Sequence, residues 1–286
     1  MSRRLDEAAV ARLAPGLSLA LPRVPHRGRV GEVRAASTGS SMELHDFRAY
    51  QPGDDLRQLD WNAVARTDEL ILRVRQDEVS PRVEVVVDAS RSMALSERKG
   101  ACAREVALLV CEVAARQGLS PTLRVAGVRG EQVQGPSCRA ALRALEFEAR
   151  DDLVAALGRM APPRPCGLRV VVSDFLFEAD LAALCARLSR GAAGLFLAQV
   201  LDAEDLSPSG GEGARLVDSE SGAALEELLT QDVLAAYARR FTEHQRSLRG
   251  AALRARGTLL TASAEHPLEA LVAGALRPLF VAGGGA

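Results

Sequence analysis

Arg82-Val83-Glu84-Val85-Val86-Val87-Asp88-Ala89-Ser90-Arg91-Ser92-Met93 is the stretch from which the fold is read. A short run of β-branched apolar residues, without polar alternation and closed by a serine-containing turn, marks a strand covered on both faces. A long helix is expected after it, from about Ser96 to Gln117, and the pattern then recurs. Strands are expected at 122–128, 168–172 (ending at Ser173-Asp174), 195–201 and 258–262. Helices are expected at 137–147, 152–160 (capped by Asp151 or Asp152), 178–190, 231–256 and 267–279, with a hairpin at 214–229. Strands alternating with helices predict an α/β domain over 81–286, a doubly wound, mostly parallel sheet with helices on both faces. Residues 1–80 read differently. A short amphipathic helix at 4–14 leads into a small strand-rich N-terminal subdomain with a Pro52-Gly53 turn and an edge strand at 70–74.

Composition limits the function. The 286 residues are 48% hydrophobic and 26% charged, enough to bury a large core, and the net charge of −1 offers no basic field for nucleic acid. The Arg-rich stretch 23–34 lacks the aromatic residues that single-strand binding uses, and reads as a solvated arm. Five cysteines without CxxC pairs or zinc spacing read as reduced core thiols of a cytoplasmic protein. No stretch reaches the ~20 apolar residues of a membrane span, and charges interrupt any signal-peptide pattern at the N-terminus. Lys99 is the sole lysine among 36 basic residues, and this skew is read as coding bias.

Ligands of open parallel sheets bind beyond the carboxyl ends of the strands. Asp88 and Asp174 both end apolar runs, so both are expected at that edge. In a turn leaving a strand, Asp88, Ser90 and Ser92 can face one concavity while Ala89 and Arg91 point away. An all-oxygen set of this kind suits a hard cation, Mg²⁺ or Mn²⁺. The same residues can instead simply cap the next helix. A DxSxS string occurs by chance in roughly one chain in fifteen of this length, so its place after the apolar run carries the weight.

These residues also carry a resemblance. Val85–Met93 (VVVDASRSM), with Val171-Val172-Ser173-Asp174-Phe175, resembles the metal-ion-dependent adhesion site of von Willebrand factor type A domains. Residues 43–61 (ELHDFRAYQPGDDLRQLDW), with Ala65-Arg66, resemble the signature of the bacterial domain-of-unknown-function-58 family. The resemblance implies a type A-like fold and an AAA+ ATPase partner of the MoxR type. It also implies metal contacts through Asp88, Ser90, Ser92 and Asp174. Asp151 stands where the type A pattern has a Thr, and is a further candidate ligand or a helix cap. Asp54, Asp55, Arg57, Asp60 and Arg66 form a charged cluster that is either a partner surface or an ion-pair network bracing the subdomain.

The resulting expectation is a non-enzymatic protein-interaction module whose metal receives an acidic residue of a protein ligand. The alternatives are a phosphatase-like hydrolase with Asp88 as nucleophile, and a scaffold with a metal-free degenerate site. The hydrolase chemistry needs a general acid at position 90, where this chain has Ser. No GxSxG elbow, phosphate loop or dinucleotide fingerprint is present.

Overall fold

The computed structural model describes residues 5–22, 46–49, 66, 69–74, 82–128, 130–208, 215–217, 224–226 and 230–282. In chain order the first elements are α1 (Glu7–Leu13), β1 (Leu17–Leu19), β2 (Asp46–Ala49), β3 (Ile71–Val74), β4 (Arg82–Asp88) and α2 (Glu97–Arg116). There follow β5 (Ser120–Ala126), β6 (Gln132–Gln134), α3 (Ser137–Arg143), α4 (Leu153–Arg159), β7 (Cys166–Ser173), α5 (Leu181–Ser189) and β8 (Ala192–Leu201). The chain continues through α6 (Ala203–Leu206), β9 (Arg215–Val217), β10 (Ala224–Glu226), α7 (Gln231–Arg254), β11 (Gly257–Ser263), α8 (Leu268–Ala273) and β12 (Phe280–Ala282).

The central sheet has six strands in the order β11-β8-β7-β4-β5-β6, all parallel except the short edge strand β6. β4 lies between β5 and β7, with Val85 opposite both Leu123 and Val170. Its side chains explain the unbroken apolar run. Val83, Val85 and Val87 face a core built with α2, while Val86 faces a second core with α4, α5 and α7. Each such side chain, fully buried, contributes about 1.5–3 kcal/mol. Helices therefore flank both faces of the sheet. α2 starts where Ser96 accepts a bond from Lys99 N, and Asp152 caps α4 through Ala155 N.

Several boundaries differ from the sequence reading. The helix expected over 137–147 stops at Arg143, and the chain then leads to Ala149, which pairs with Ser90. The closing helix ends at Ala273 before Gly274, and β12 then pairs antiparallel with β1. α1 buries Ala9 and Val10 in the main core, and Gln117 Oε1 accepts a 2.8 Å bond from Leu19 N. The compact units are accordingly Met1–Ala35 with Ser80–Ala286, and Ala36–Val79, rather than a division at residue 80. Within the smaller unit β2 and β3 form an antiparallel pair. The hairpin expected near 214–229 corresponds to the antiparallel strands β9 and β10. All five cysteines are buried, and none forms a disulfide.

Candidate functional site

The connection leaving β4 runs to α2 on one face of the sheet, and that leaving β7 runs to α5 on the other. The carboxyl ends of these adjacent strands therefore flank the point where the chain changes winding direction, the crevice where ligands of open α/β sheets lodge. Asp88 closes β4 and Asp174 follows β7, and both are 1% exposed.

The Asp88 carboxylate accepts from Ser90 N (2.9 Å, Oδ1) and Ser173 Oγ (2.7 Å, Oδ2). Burial, followed by the negative charge of Asp174, pushes its pKa up to about 7 against these two bonds. The turn after β4 is pinned to Ala149 by Arg91 N (2.9 Å) and by Ala149 N donating to Ala89 O (3.0 Å). This fixes Ser90 and Ser92 with their hydroxyl oxygens 3.0 Å apart. Ser90 is buried and Ser92 half-buried, so the cluster meets solvent at Ser92. Gly100 lets α2 come close, since a Cβ there would lie 3.1 Å from Phe147 Cε2 and 3.4 Å from Met93 O.

Asp174 is bound differently. Its Oδ1 accepts from Leu176 N (3.1 Å), and its Oδ2 lies 2.8 Å from Lys99 Nζ. The same ammonium lies 2.8 Å from Asp205 Oδ2, and Lys99 is fully buried. Burial alone would pull the lysine's pKa down, but the two carboxylates outweigh it and the net shift is upward. Asp205 stays above the ordinary carboxylate range because its own burial exceeds the help from Lys99. Phe175, at φ 53°, occupies the left-handed region at a cost of about 1–2 kcal/mol, and complete burial holds it there. Its carbonyl lies 2.7 Å from His244 Nε2, while Gln199 Nε2 donates to Asp174 O (2.8 Å) and Tyr237 donates to Asp205 O (2.6 Å). Thus α6 and α7 are both bonded to the β7 loop or to its lysine partner.

The structure brings together Asp88, Ser90, Ser92 and Asp174. Asp151 does not join them: it is half-exposed and paired with Arg159 at 2.8 Å, and its neighbour Asp152 is the cap of α4. Among the described residues, no group of three or more His, Cys, Asp or Glu side chains is placed to hold a metal. Arg66 is exposed; Asp54, Asp55, Arg57 and Asp60 lie outside the described residues, as do Pro52, Gly53, Trp61 and the Arg23–Arg34 stretch. Sequence reasoning missed Lys99, Asp205 and Ser173. A single lysine in a chain that otherwise uses arginine was the available signal for Lys99.

The sequence profile of the family described as protein of unknown function DUF58 matches residues 46–247, well over half of the chain. The chain belongs to the DUF58 family. This DUF58 chain is 28% identical over 239 residues to the uncharacterized proteins Mb1516 of Mycobacterium bovis and Rv1480 of Mycobacterium tuberculosis. The match covers 74% of this chain and 73% of each of those. Among solved structures, the conserved hypothetical protein BatB from Bacteroides thetaiotaomicron matches with a TM-score of 0.38 and 12% identity, over 68% of this chain and 94% of that one. An aerotolerance-related membrane protein from Bacteroides fragilis matches with a TM-score of 0.37 and 14% identity, over 70% and 98%. Among the described residues no helix is long and apolar enough to cross a membrane.

Proposed function

We propose that this DUF58 chain is a non-enzymatic, cytoplasmic protein-interaction module with a von Willebrand factor type A-like sheet. In this reading it acts as an adaptor for an AAA+ ATPase of the MoxR type. The observation that carries the reading is the convergence of Asp88, Ser90 and Ser92 at the winding switch of the sheet. The 3.0 Å separation of the two hydroxyl oxygens fits the ~2.9 Å edge of an octahedron with ligands at 2.0–2.1 Å, as Mg²⁺ prefers. Among the described residues no cationic side chain is bonded to Asp88, since Lys99 is committed to Asp174 and Asp205. Asp88, Ser90 and Ser92 would therefore hold Mg²⁺ or Mn²⁺, with Asp174 bracing the site from its lysine-bound position. Such an ion supplies an electrophilic centre for an acidic residue of a protein ligand. Ser92, the most exposed of the set, marks the side from which that residue arrives.

The burial of Asp88 and the engagement of both its oxygens favour this reading over nucleophilic hydrolysis. Calorimetric titration with Mn²⁺ is expected to give a binding heat that Ser92→Ala and Asp88→Asn each weaken at least tenfold. Equal heats in all three proteins would sink the metal site. Purified MoxR-type ATPase is expected to be retained by the immobilised chain in Mg²⁺ and released by EDTA. Retention indifferent to EDTA and to Ser92→Ala would separate the partner from the site. Mg²⁺-dependent phosphoester turnover that is lost in Asp88→Ala would overturn the non-enzymatic reading.

A further inference from the structure

The two edges of the central sheet are built differently. β6 closes one edge with three residues, the kind of short strand by which natural sheets blunt an edge. β11 closes the other with seven, Gly257-Thr258-Leu259-Leu260-Thr261-Ala262-Ser263, paired on one side with β8 in a register without a bulge. The strand carries no charged residue and no proline, and Thr258 and Thr261 are exposed. It therefore has none of the usual devices that keep an edge from pairing. One bond tells which of its backbone groups are open: Ala264 N donates to Leu201 O at 2.7 Å, continuing the ladder to β8. Along a strand the N–H and C=O of successive residues point to alternate sides. Those of Thr258, Leu260 and Ala262 therefore face β8, and those of Gly257, Leu259, Thr261 and Ser263 face outward. Among the described residues the outward groups of Leu259 and Thr261 have no backbone partner.

We infer that β11 pairs antiparallel with β11 of a second copy of this chain, about a two-fold axis at Leu260. Pairing the whole strand in this way sets Leu259 opposite Thr261 of the other copy and Gly257 opposite Ser263. Each outward-facing residue then meets another, and the two exchange N–H···O=C bonds. Leu260 meets its own copy and Thr258 meets Ala262, so no like charges oppose the contact. An uncharged strand also offers a foreign strand no charge by which to be selected. Closure favours the second copy as well. A foreign strand would leave its own outer edge open, whereas the two-fold contact uses up both β11 edges and leaves the short β6 at either end of a continuous sheet. β8 and β7 separate β11 from β4, so the pairing leaves the Asp88 site of each copy free.

One strand pair is a small interface, so dissociation is expected at about 10–100 µM, and sedimentation equilibrium should show monomer and dimer exchanging in that range. Hydrogen exchange resolved by residue is the direct test. Protection of the Leu259 and Thr261 amides should rise with protein concentration, while that of Leu260 and Ala262, bonded to β8, stays constant. Thr261→Pro removes an outward donor without touching the β8 ladder and should weaken dimerisation at least tenfold. Thr261→Ala keeps the amide, loses only the 3.2 Å side-chain bond to Gln199, and should dimerise as the wild type does. A monomer at every concentration, or a dimer whose Leu259 and Thr261 amides stay unprotected, overturns the proposal. Should Thr261→Pro not fold, the exchange measurement on the wild type decides alone.

Discussion

Two buried ionic clusters with opposite signs are built on the same central strands. In one, the Lys99 ammonium sits between Asp174 and Asp205; in the other, the Glu84 carboxylate sits between Arg124 and Arg169. The first lies at the carboxyl edge, beside Asp88 and the hydroxyls of Ser90 and Ser92. The second lies within the sheet, under α4 and α5. Each triad is one charge from neutrality, and the difference lies in how the surplus is disposed of. The acidic surplus is increased by Asp88 and opens toward solvent at Ser92, which makes it suited to recruit a cation from outside. The basic surplus is enclosed beside a cavity at the lower size limit for a single water, which makes it a structural element. Charge of either sign is buried in this sheet, and of the two clusters only the acidic one lies at its carboxyl edge.

The largest effects should come from removing the central ion of either triad. Lys99→Met leaves two carboxylates facing each other without their cation. Deleting one partner of a buried pair costs about 3–5 kcal/mol, so urea unfolding should show a loss of that size. Glu84→Gln, the mirror-image change, keeps an acceptor oxygen and should cost somewhat less, about 2–4 kcal/mol. The comparison predicts a further asymmetry. Divalent cation should restore part of the stability of Lys99→Met by neutralising the acidic edge, and should do nothing for Glu84→Gln. Equal rescue of both would mean that the ion acts at neither cluster specifically.

The pH dependence of Asp88 sharpens the same contrast. Its carboxyl is pushed up to about 7 in the folded chain from an ordinary value of 3.8. Between those values the folded state holds a proton that the unfolded state has released. This group's contribution to stability therefore falls as pH rises from about 4 to 7, by at most ~4 kcal/mol, and is level above that. Asp88→Asn cannot release that proton, so its stability should decline less over the window. Chemical denaturation at pH 5 and pH 7.5, without divalent ions, measures the difference. A slope that survives Asp88→Asn would assign the proton to another group.

The strands were legible because both faces of a parallel strand are covered, which makes Val85–Val87 and Val170–Val172 read as unbroken apolar runs. Asp88 and Asp174 were legible for the same reason, as the first charged groups after those runs. The triads were not. Lys99 sits in an otherwise ordinary helical pattern, and its partners are 75 and more residues away in the chain. Glu84 and Arg169 interrupt apolar strands, and this was the visible sign that charge enters the core. Their mutual pairing depends on the register that places them opposite one another in β4 and β7, which local pattern does not encode. The packing of the N-terminal helix against α2 was not legible either, because it is a tertiary contact with no signature at residues 4–14.

Asp151 provides the smallest effect and a clean discrimination. Its position in the chain made it a candidate metal ligand or a helix cap, yet its carboxylate lies 2.8 Å from Arg159 with both side chains about half-exposed. An exposed pair of this kind contributes roughly 0.2–1 kcal/mol before salt screening. Asp151→Ala should therefore shift stability by ~0.5 kcal/mol or less, and 0.5 M salt should erase even that. If Asp88, Ser90 and Ser92 suffice for the edge site, Mn²⁺ affinity in Asp151→Ala should equal that of the wild type. A tenfold loss of affinity with stability unchanged would mean that the 149–152 segment swings inward on metal binding, exchanging Arg159 for the cation. The edge cluster would then be a site assembled by its ion, unlike the Arg124–Glu84–Arg169 cluster, whose partners are already in contact.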